Sequence, residues 1–341
     1  MKTLETNRLI LRPYKEDDFE AVHSYASNID NITYMLFGPN SEEDTRTFIE
    51  MAMLLASEDP ITDYAFAVEL KETGKLIGGC DINLKGDASE IGWILHKDHW
   101  GKGYGTEMGY AMLKFGFEEH NLRRIIARCD AENVGSSRVM EKIGMRQEGL
   151  FLERRPTRAA SSKPYRDELV YAILKYEWEV QKEVNYYNAL PCKFDEFTNV
   201  PPLSDGEIHL VCTAKHPANP EKKYVPAYTF AICKGSEKVG EVALRIGYSH
   251  GLYYYGQIGY SVDEAHRGKG YAARACRLMA PVAKAHGMEK LLITNNYTNT
   301  ASRRVCEKLG ARLVRLVRLP EWTSLYQEGQ RFVNIYEWSI T

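Results

Sequence analysis

No run in this 341-residue sequence stays apolar for the roughly 18 positions that a membrane-crossing helix requires. The opening residues, MKTLETNRLILRP, also lack the apolar stretch of a secretory signal, so a soluble protein without a membrane partner is expected. Cysteine is sparse: the seven, at 80, 129, 192, 212, 233, 276 and 306, form no Cys-x-x-Cys and no Cys/His ligand spacing. Neither a metal site nor a disulfide framework is therefore expected. An odd number of cysteines without a secretion signal suits a reducing cytoplasm, the expected location. Tracts of Lys and Arg are missing too, which argues against a nucleic-acid partner. The pattern GxxxxGK[ST] does not occur, so a Walker-type nucleotide loop is not expected.

What is present is a globular composition, 44% hydrophobic and 26% charged, on a chain long enough for two domains. The net charge of −2 is unevenly spread: residues 1–178 sum to −7 and residues 179–341 to +5. Two ordinary surfaces would give this, with some attraction between the halves, so intramolecular domain pairing is an expectation.

One three-part signature occurs twice. EIGWILHKDHWGKGYGTE is followed by NVGSSRVMEKIGM, and QIGYSVDEAHRGKGYAAR by NTASRRVCEKLGA. Gly92 and Gly259, and Trp100 and Arg267, are 167 residues apart; Asn133 and Asn299, and Gly144 and Gly310, are 166 apart. A glycine-rich loop alone is weak evidence, but three elements in fixed order, twice, mark a duplicated fold.

The surrounding pattern is α+β. In the first copy it reads as a strand at 7–13, two helices (the second N-capped by Ser41 with Asp44 at its third position), three strands, a helix, a strand, a short helix ending at Gly144 and a closing strand, ELVYAILKYEW. The second copy repeats the order from about 207 with little room for the early helices. It gains five residues between its third and fourth strands, an insertion that carries Tyr253, Tyr254 and Tyr255, read here as strand residues of which at least one faces the core. The expected division is a domain at 1–178, a linker at 179–206 that includes Pro201-Pro202, and a domain at 207–341.

A loop of small residues between strand and helix exposes backbone N–H groups at a helix N-terminus, where donors and dipole favour a pyrophosphate. Gly103 and Gly270 would let the backbone approach the phosphates, Gly101 and Gly268 would serve the turn, and Lys102 and Lys269 would add positive charge. A plain tight turn is the bland alternative, made weaker by the second copy.

Both halves resemble the GNAT acyl-CoA N-acyltransferase superfamily, whose phosphate motif is Gln/Arg-x-x-Gly-x-Gly/Ala. Arg267-Gly268-Lys269-Gly270-Tyr271-Ala272 matches it fully; in the first half Trp100 replaces the leading residue before Gly101-Lys102-Gly103-Tyr104-Gly105. That variant, with the NRLILRP start, is similar to the ribosomal-protein N-terminal acetyltransferase branch. The resemblance implies two tandem domains, each a mixed, mostly antiparallel sheet flanked by helices, with acetyl-CoA as cofactor. It implies that Trp93, Ile94 and Leu95, and Tyr260, Ser261 and Val262, pair with the pantetheine amides. The two loops, extended to Thr106 and Ala273, would hold the pyrophosphate. Asn133 and Asn299 would meet the cofactor arm, with Ser136 and Ser302 one turn later; simple N-capping is the other reading of these pairs.

An amine must lose a proton before it attacks a thioester, so a base is needed. Glu90, opening the fourth strand, is the candidate in the first half. Its counterpart Gln257 cannot act as one, which leaves Glu241 as a weak candidate. Relatives often use a Tyr two residues before the Lys of the last motif as acid; here those positions are Met140 and Cys306. Ser136 remains a possible proton donor, and a buried packing role is the plainer reading of Cys306. The expected activity is acetyl transfer to a primary amine: a protein N-terminus, an antibiotic or another small amine. The alternatives are that one domain, more readily the second, binds cofactor or positions the partner without catalysis, or that the chain is an acyl-CoA sensor.

Overall fold

The computed structural model describes residues 1–84, 88–157, 164–198 and 202–340. The chain divides into two compact units after Glu179. Pro201, placed in the linker by the sequence, lies outside the described residues.

The first unit runs β1 (Leu4–Glu5), β2 (Leu9–Arg12), α1 (Phe19–Ala26), α2 (Ile29–Ile32), α3 (Glu42–Ala56), β3 (Asp63–Leu70), β4 (Leu76–Asn83), β5 (Ala88–Leu95), α4 (Tyr104–Lys114), β6 (Arg124–Asp130), α5 (Val134–Lys142), β7 (Arg146–Pro156) and β8 (Tyr165–Leu174). Its sheet has the order β1-β2-β3-β4-β5-β6-β8-β7. Among the described residues only β5 and β6 pair in parallel, over Ala88–Glu90 against Arg124–Ile126. Beyond that point β5 pairs with β4 alone, so the two central strands part.

Side-chain alternation along β3, β4 and β5 sends alternate residues to opposite layers. Phe66, Ile82 and Ile91 pack under α4 and α5 with Met108, Met112 and Ile143. Ala67 and Tyr14 pack with Val22, Tyr25 and Ile49 of α1 and α3 on the other face. Each large apolar side chain so buried contributes roughly 1.5–3 kcal/mol. The N-terminus of α3 is fixed by reciprocal bonds, Asp44 N donating to Ser41 Oγ at 3.1 Å and Ser41 N to Asp44 Oδ2 at 2.9 Å. Asn31 ties the early helices to the end of β5: its Nδ2 donates to Leu95 O (2.9 Å) and its Oδ1 accepts from Lys97 N (2.6 Å).

Two elements differ from expectation. β7 was not foreseen, because nearly all its residues are exposed and an edge strand without a buried face shows no alternation. The closing strand stops at Leu174, and Lys175 opens helix α6 (Lys175–Asn188), whose Glu177 carboxylate accepts from Leu174 N at 2.8 Å.

The second unit continues with β9 (Leu203–Ser204), β10 (His209–His216), β11 (Ala227–Lys234), β12 (Glu237–Arg245), α7 (His250–Tyr255), β13 (Ile258–Val262), α8 (Tyr271–Ala285), β14 (Lys290–Asn296), α9 (Thr300–Leu309), β15 (Arg312–Arg318), α10 (Ser324–Gln327) and β16 (Phe332–Ser339). It forms two sheets, β13-β12-β11-β10-β9 and β14-β16-β15, all antiparallel. Within the expected linker, Val180, Val184 and Tyr187 of α6 bury with Val333 and Ile335 of β16. The inserted tyrosines sit on helix α7, not on a strand as expected: Ser249 caps a turn through Leu252 N (3.2 Å) and Gly256 ends it at φ +71°. Tyr253 and Tyr254 are buried in the core, as one face of a short helix requires.

Candidate active site

The two glycine loops are built alike. Gly103 and Gly270 take the N-cap positions of α4 and α8 at φ +83° and +82°, a region costly for any residue with a Cβ, and neither helix has a side-chain cap. The first intrahelical bonds are Glu107 N to Gly103 O and Arg274 N to Gly270 O. The N–H groups of Tyr104, Gly105 and Thr106, and of Tyr271, Ala272 and Ala273, therefore precede the helical ladder. A Cβ added at Gly101 or Gly268 would meet nothing within 4 Å, so both turns leave an open cradle.

Trp100 and Arg267, different in sequence, do the same local work. Trp100 Nε1 donates to Leu95 O at 2.9 Å, and Arg267 Nε donates to Val262 O at 3.2 Å. Each fastens the loop to the last carbonyl of the preceding strand.

A further cation, beyond Lys102 and Lys269, stands beside each cradle and was not foreseen. In the first unit it is Arg8, whose Nη1 donates to Lys102 O (3.1 Å) and whose Nε donates to Glu107 (2.7 Å); its Nη2 would lie 3.4 Å from a Cβ on Gly103. In the second it is Lys308, its Nζ 3.8 Å from where a Gly270 Cβ would stand. Lys269 instead donates to Ala265 O at 3.3 Å.

In the second unit β13 and β14 part to leave a cleft of ≈ 970 Å³ that runs from the strand start to the glycine loop. Tyr260, Ser261, Val262, Asn299 and Ser302 line it. Its charged lining is Arg245, Arg267, Arg304 and Lys308, with no carboxylate. Gln257, directly before β13, does not line the cleft; its backbone N donates to Leu292 O (2.8 Å), its Oε1 accepts from Leu292 N (2.6 Å) and its Nε2 donates to Gly247 O (3.2 Å). The residue is buried and bonded through both its side-chain oxygen and its side-chain nitrogen, a strand clamp. Glu241 ion-pairs with Lys238 at 3.4 Å and does not line the cleft.

The first unit has the opposite chemistry at the same place. Register pairs Asn83 with Glu90 and Asp81 with Gly92. Alternation puts Asp81 and Glu90 on the face that carries α1 and α3. Glu90 is half-buried, its Oε2 3.4 Å from Arg128 Nε. Burial raises its pKa, Arg128 opposes the rise, Glu168 adds to it and Arg155 opposes it. Asp81 has no hydrogen-bond or ion-pair partner among the described residues. Desolvation of its carboxylate, together with the charges of Glu90 and Asp63, pushes its pKa up to about 6. Asp81 was not foreseen; only the register across the β4–β5 hairpin brings it to Glu90.

Asn133 and Asn299 cap α5 and α9, each side-chain oxygen accepting from Ser136 N or Ser302 N at 3.0 Å. Ser302 Oγ lies 2.9 Å from Tyr260 Oη. Met140 is buried, and burial pushes the Cys306 thiol up to about 12. Among the described residues no group of three or more His, Cys, Asp or Glu could hold a metal ion, and no helix is long and apolar enough to cross a membrane.

Parted central strands beside an uncapped helix N-terminus, twice, define an acyl-CoA-dependent acyltransferase scaffold. A protein-family model described as "Acetyltransferase (GNAT) domain" matches residues 8–146 and 164–312, and the chain belongs to that family of N-acetyltransferases, with a copy in each half. Among its relatives, the uncharacterized N-acetyltransferase YnaD of Bacillus subtilis is 37% identical over 177 residues, 51% of this chain and 98% of the relative. The uncharacterized N-acetyltransferase p20 of Bacillus licheniformis is 30% identical over 52% of this chain and 99% of its own length. The crystal structure of a GNAT-family acetyltransferase from Bacillus anthracis is 38% identical, covers 51% of this chain and 99% of its own, and has a TM-score of 0.46. Acetyl-CoA is the cofactor of this family. Open cradles, N–H groups outside the helical ladder and an adjacent cation suit its pyrophosphate in both units.

Proposed function

We propose that the first unit transfers acetyl from acetyl-CoA to a primary amine with Glu90 as general base, and that the second unit holds an acyl-CoA without transferring from it. The contrast between two carboxylates on one sheet face and a cleft without any carries this reading. In the first unit Gly101, Lys102, Gly103, Tyr104, Gly105, Thr106 and Asn133 would hold the cofactor, with the free edge of Trp93, Ile94 and Leu95 beside it; Arg267–Ala273 and the free edge of Tyr260–Val262 have that role in the second.

Bound acetyl-CoA supplies an electrophilic thioester carbonyl. The residues of the chain do the rest. A protonated amine is drawn to Asp81 and Glu90 by charge. Glu90, with its affinity for a proton raised by burial, takes the amine proton directly or through water, and Arg128 holds its carboxylate in place. Ser136, in the first turn of α5, is assigned the return of a proton on the leaving side. The acceptor class is a cationic primary amine, small or a peptide N-terminus.

The test is thiol release from acetyl-CoA by the full chain across a panel of polyamines, amino acids and peptides. Glu90→Gln is expected to lower kcat by a factor on the order of 10²–10⁴ while leaving KM for acetyl-CoA near its original value. Undiminished turnover in that variant would overturn the assignment of the base and move the search to the second unit.

A further inference from the structure

The cleft of the second unit is lined by a cation, Arg245, that a pyrophosphate site does not explain. Arg267 and Lys308 stand beside the glycine loop, and Arg304 lies one helical turn before Lys308 on α9. Arg245 lines the other end of the cleft. Its backbone N donates to Gln257 O (2.8 Å), so it stands at the very start of β13, five residues before Val262 and roughly 15 Å of strand from the loop. Its guanidinium passes over Gly259, with Nη1 3.8 Å from where a Cβ would be, and Nη1 donates to Gly256 O at 3.3 Å. No carboxylate pairs with it among the described residues. Arg245 is half-buried, and burial lowers its pKa, the sign of a guanidinium short of compensating charge. Tyr255, from the α7 insertion, and Thr294 close the same end with a phenol and a hydroxyl.

A guanidinium keeps several donors in a planar fork that suits a carboxylate. We propose that Arg245 makes the second unit a receptor for a carboxylate at the end of the cleft remote from the glycine loop. That carboxylate is either the free end of a dicarboxylic acyl group on CoA or a separate carboxylic acid bound beside CoA. The inference rests on the second unit holding an acyl-CoA.

The experiment is hydrogen exchange on the full chain, titrated with acetyl-CoA, with succinyl-CoA, and with CoA plus free succinate. Peptides within 258–273 report the second unit and peptides within 91–106 the first. Protection of 258–273 is expected at succinyl-CoA concentrations about tenfold or more below those of acetyl-CoA, a factor typical of a charge-assisted pair. Arg245→Met should abolish that preference and keep the response to acetyl-CoA; Arg245→Lys should keep a weaker one. Preference shown by CoA plus succinate instead assigns the carboxylate to a free acid. Equal response to the two acyl-CoAs, or a preference that survives in Arg245→Met, overturns the inference alone. No protection of 258–273 by any acyl-CoA overturns the reading of the second unit as an acyl-CoA holder, and the inference with it.

Discussion

Gly92 and Gly259 hold the same place in two copies of one strand, and each leaves room for a charged side chain from the neighbouring strand. A Cβ on Gly92 would stand 2.8 Å from Asp81 Oδ1; one on Gly259 would stand 3.8 Å from Arg245 Nη1. The charge at that place is inverted between units. Around it, Glu90 corresponds to Gln257, and Asp81, paired with Gly92, to Ala243, paired with Gly259. The glycine loops, in contrast, agree within a few degrees of φ. A cofactor cradle made of backbone depends on chain conformation and survives side-chain drift. Chemistry made of side chains does not, so duplication preserved the loop geometry and released the side chains around Gly92 and Gly259 to diverge.

The sharpest way to break this comparison is the loss of Glu90, where the drop in kcat described above is expected with hydrogen exchange at 258–273 unchanged. The reverse substitution, Gln257→Glu, is expected to give no activity to the second unit. It should destabilise that unit by about 1–3 kcal/mol, because a carboxylate cannot donate to Gly247 O and is buried beside it. Urea unfolding would measure this, and a neutral Gln257→Glu would show that the clamp is dispensable.

Smaller effects separate cap from ligand contact. Asn133→Ala and Asn299→Ala each remove an N-cap oxygen, which costs about 1 kcal/mol. Capping alone predicts equal losses of stability and unchanged acetyl-CoA affinity by calorimetry. A loss of affinity in both variants beyond the stability effect would assign these side chains to the cofactor.

Much of this is legible in the sequence. The repeat, the loops, the Ser41–Asp44 capping box and the order of most elements follow from spacing and local chemistry. β7 escaped because it buries no face, and the tyrosine insertion was misread because three consecutive aromatics suit a strand or a short helix until Ser249 and Gly256 are seen to bound a turn. Asp81, Arg245, Arg8 and Lys308 were out of reach for a different reason. Each meets its site through a strand register or a tertiary contact, which residue spacing along one element does not encode. Lys308 was in the repeated Glu-Lys-x-Gly, but as part of a signature of fold rather than of charge.

The smallest expected effect concerns Asp81, and its sign follows from linkage. Its pKa in the folded protein, about 6, lies above the ordinary carboxylate value near 3.9, so the folded state binds the proton more tightly than the unfolded chain. The stability this group contributes is therefore complete below about pH 4 and is lost as pH rises through about 6. Asp81→Asn removes the charge that Glu90 and Asp63 repel. It should raise the stability of the first unit at pH 8, with the advantage shrinking toward pH 5. Hydrogen exchange of first-unit peptides at the two pH values would measure the difference. Ala243 leaves the second unit without such a group, so second-unit peptides should show no change. An equal gain at both pH values would mean that packing, not ionisation, separates the two units at this position.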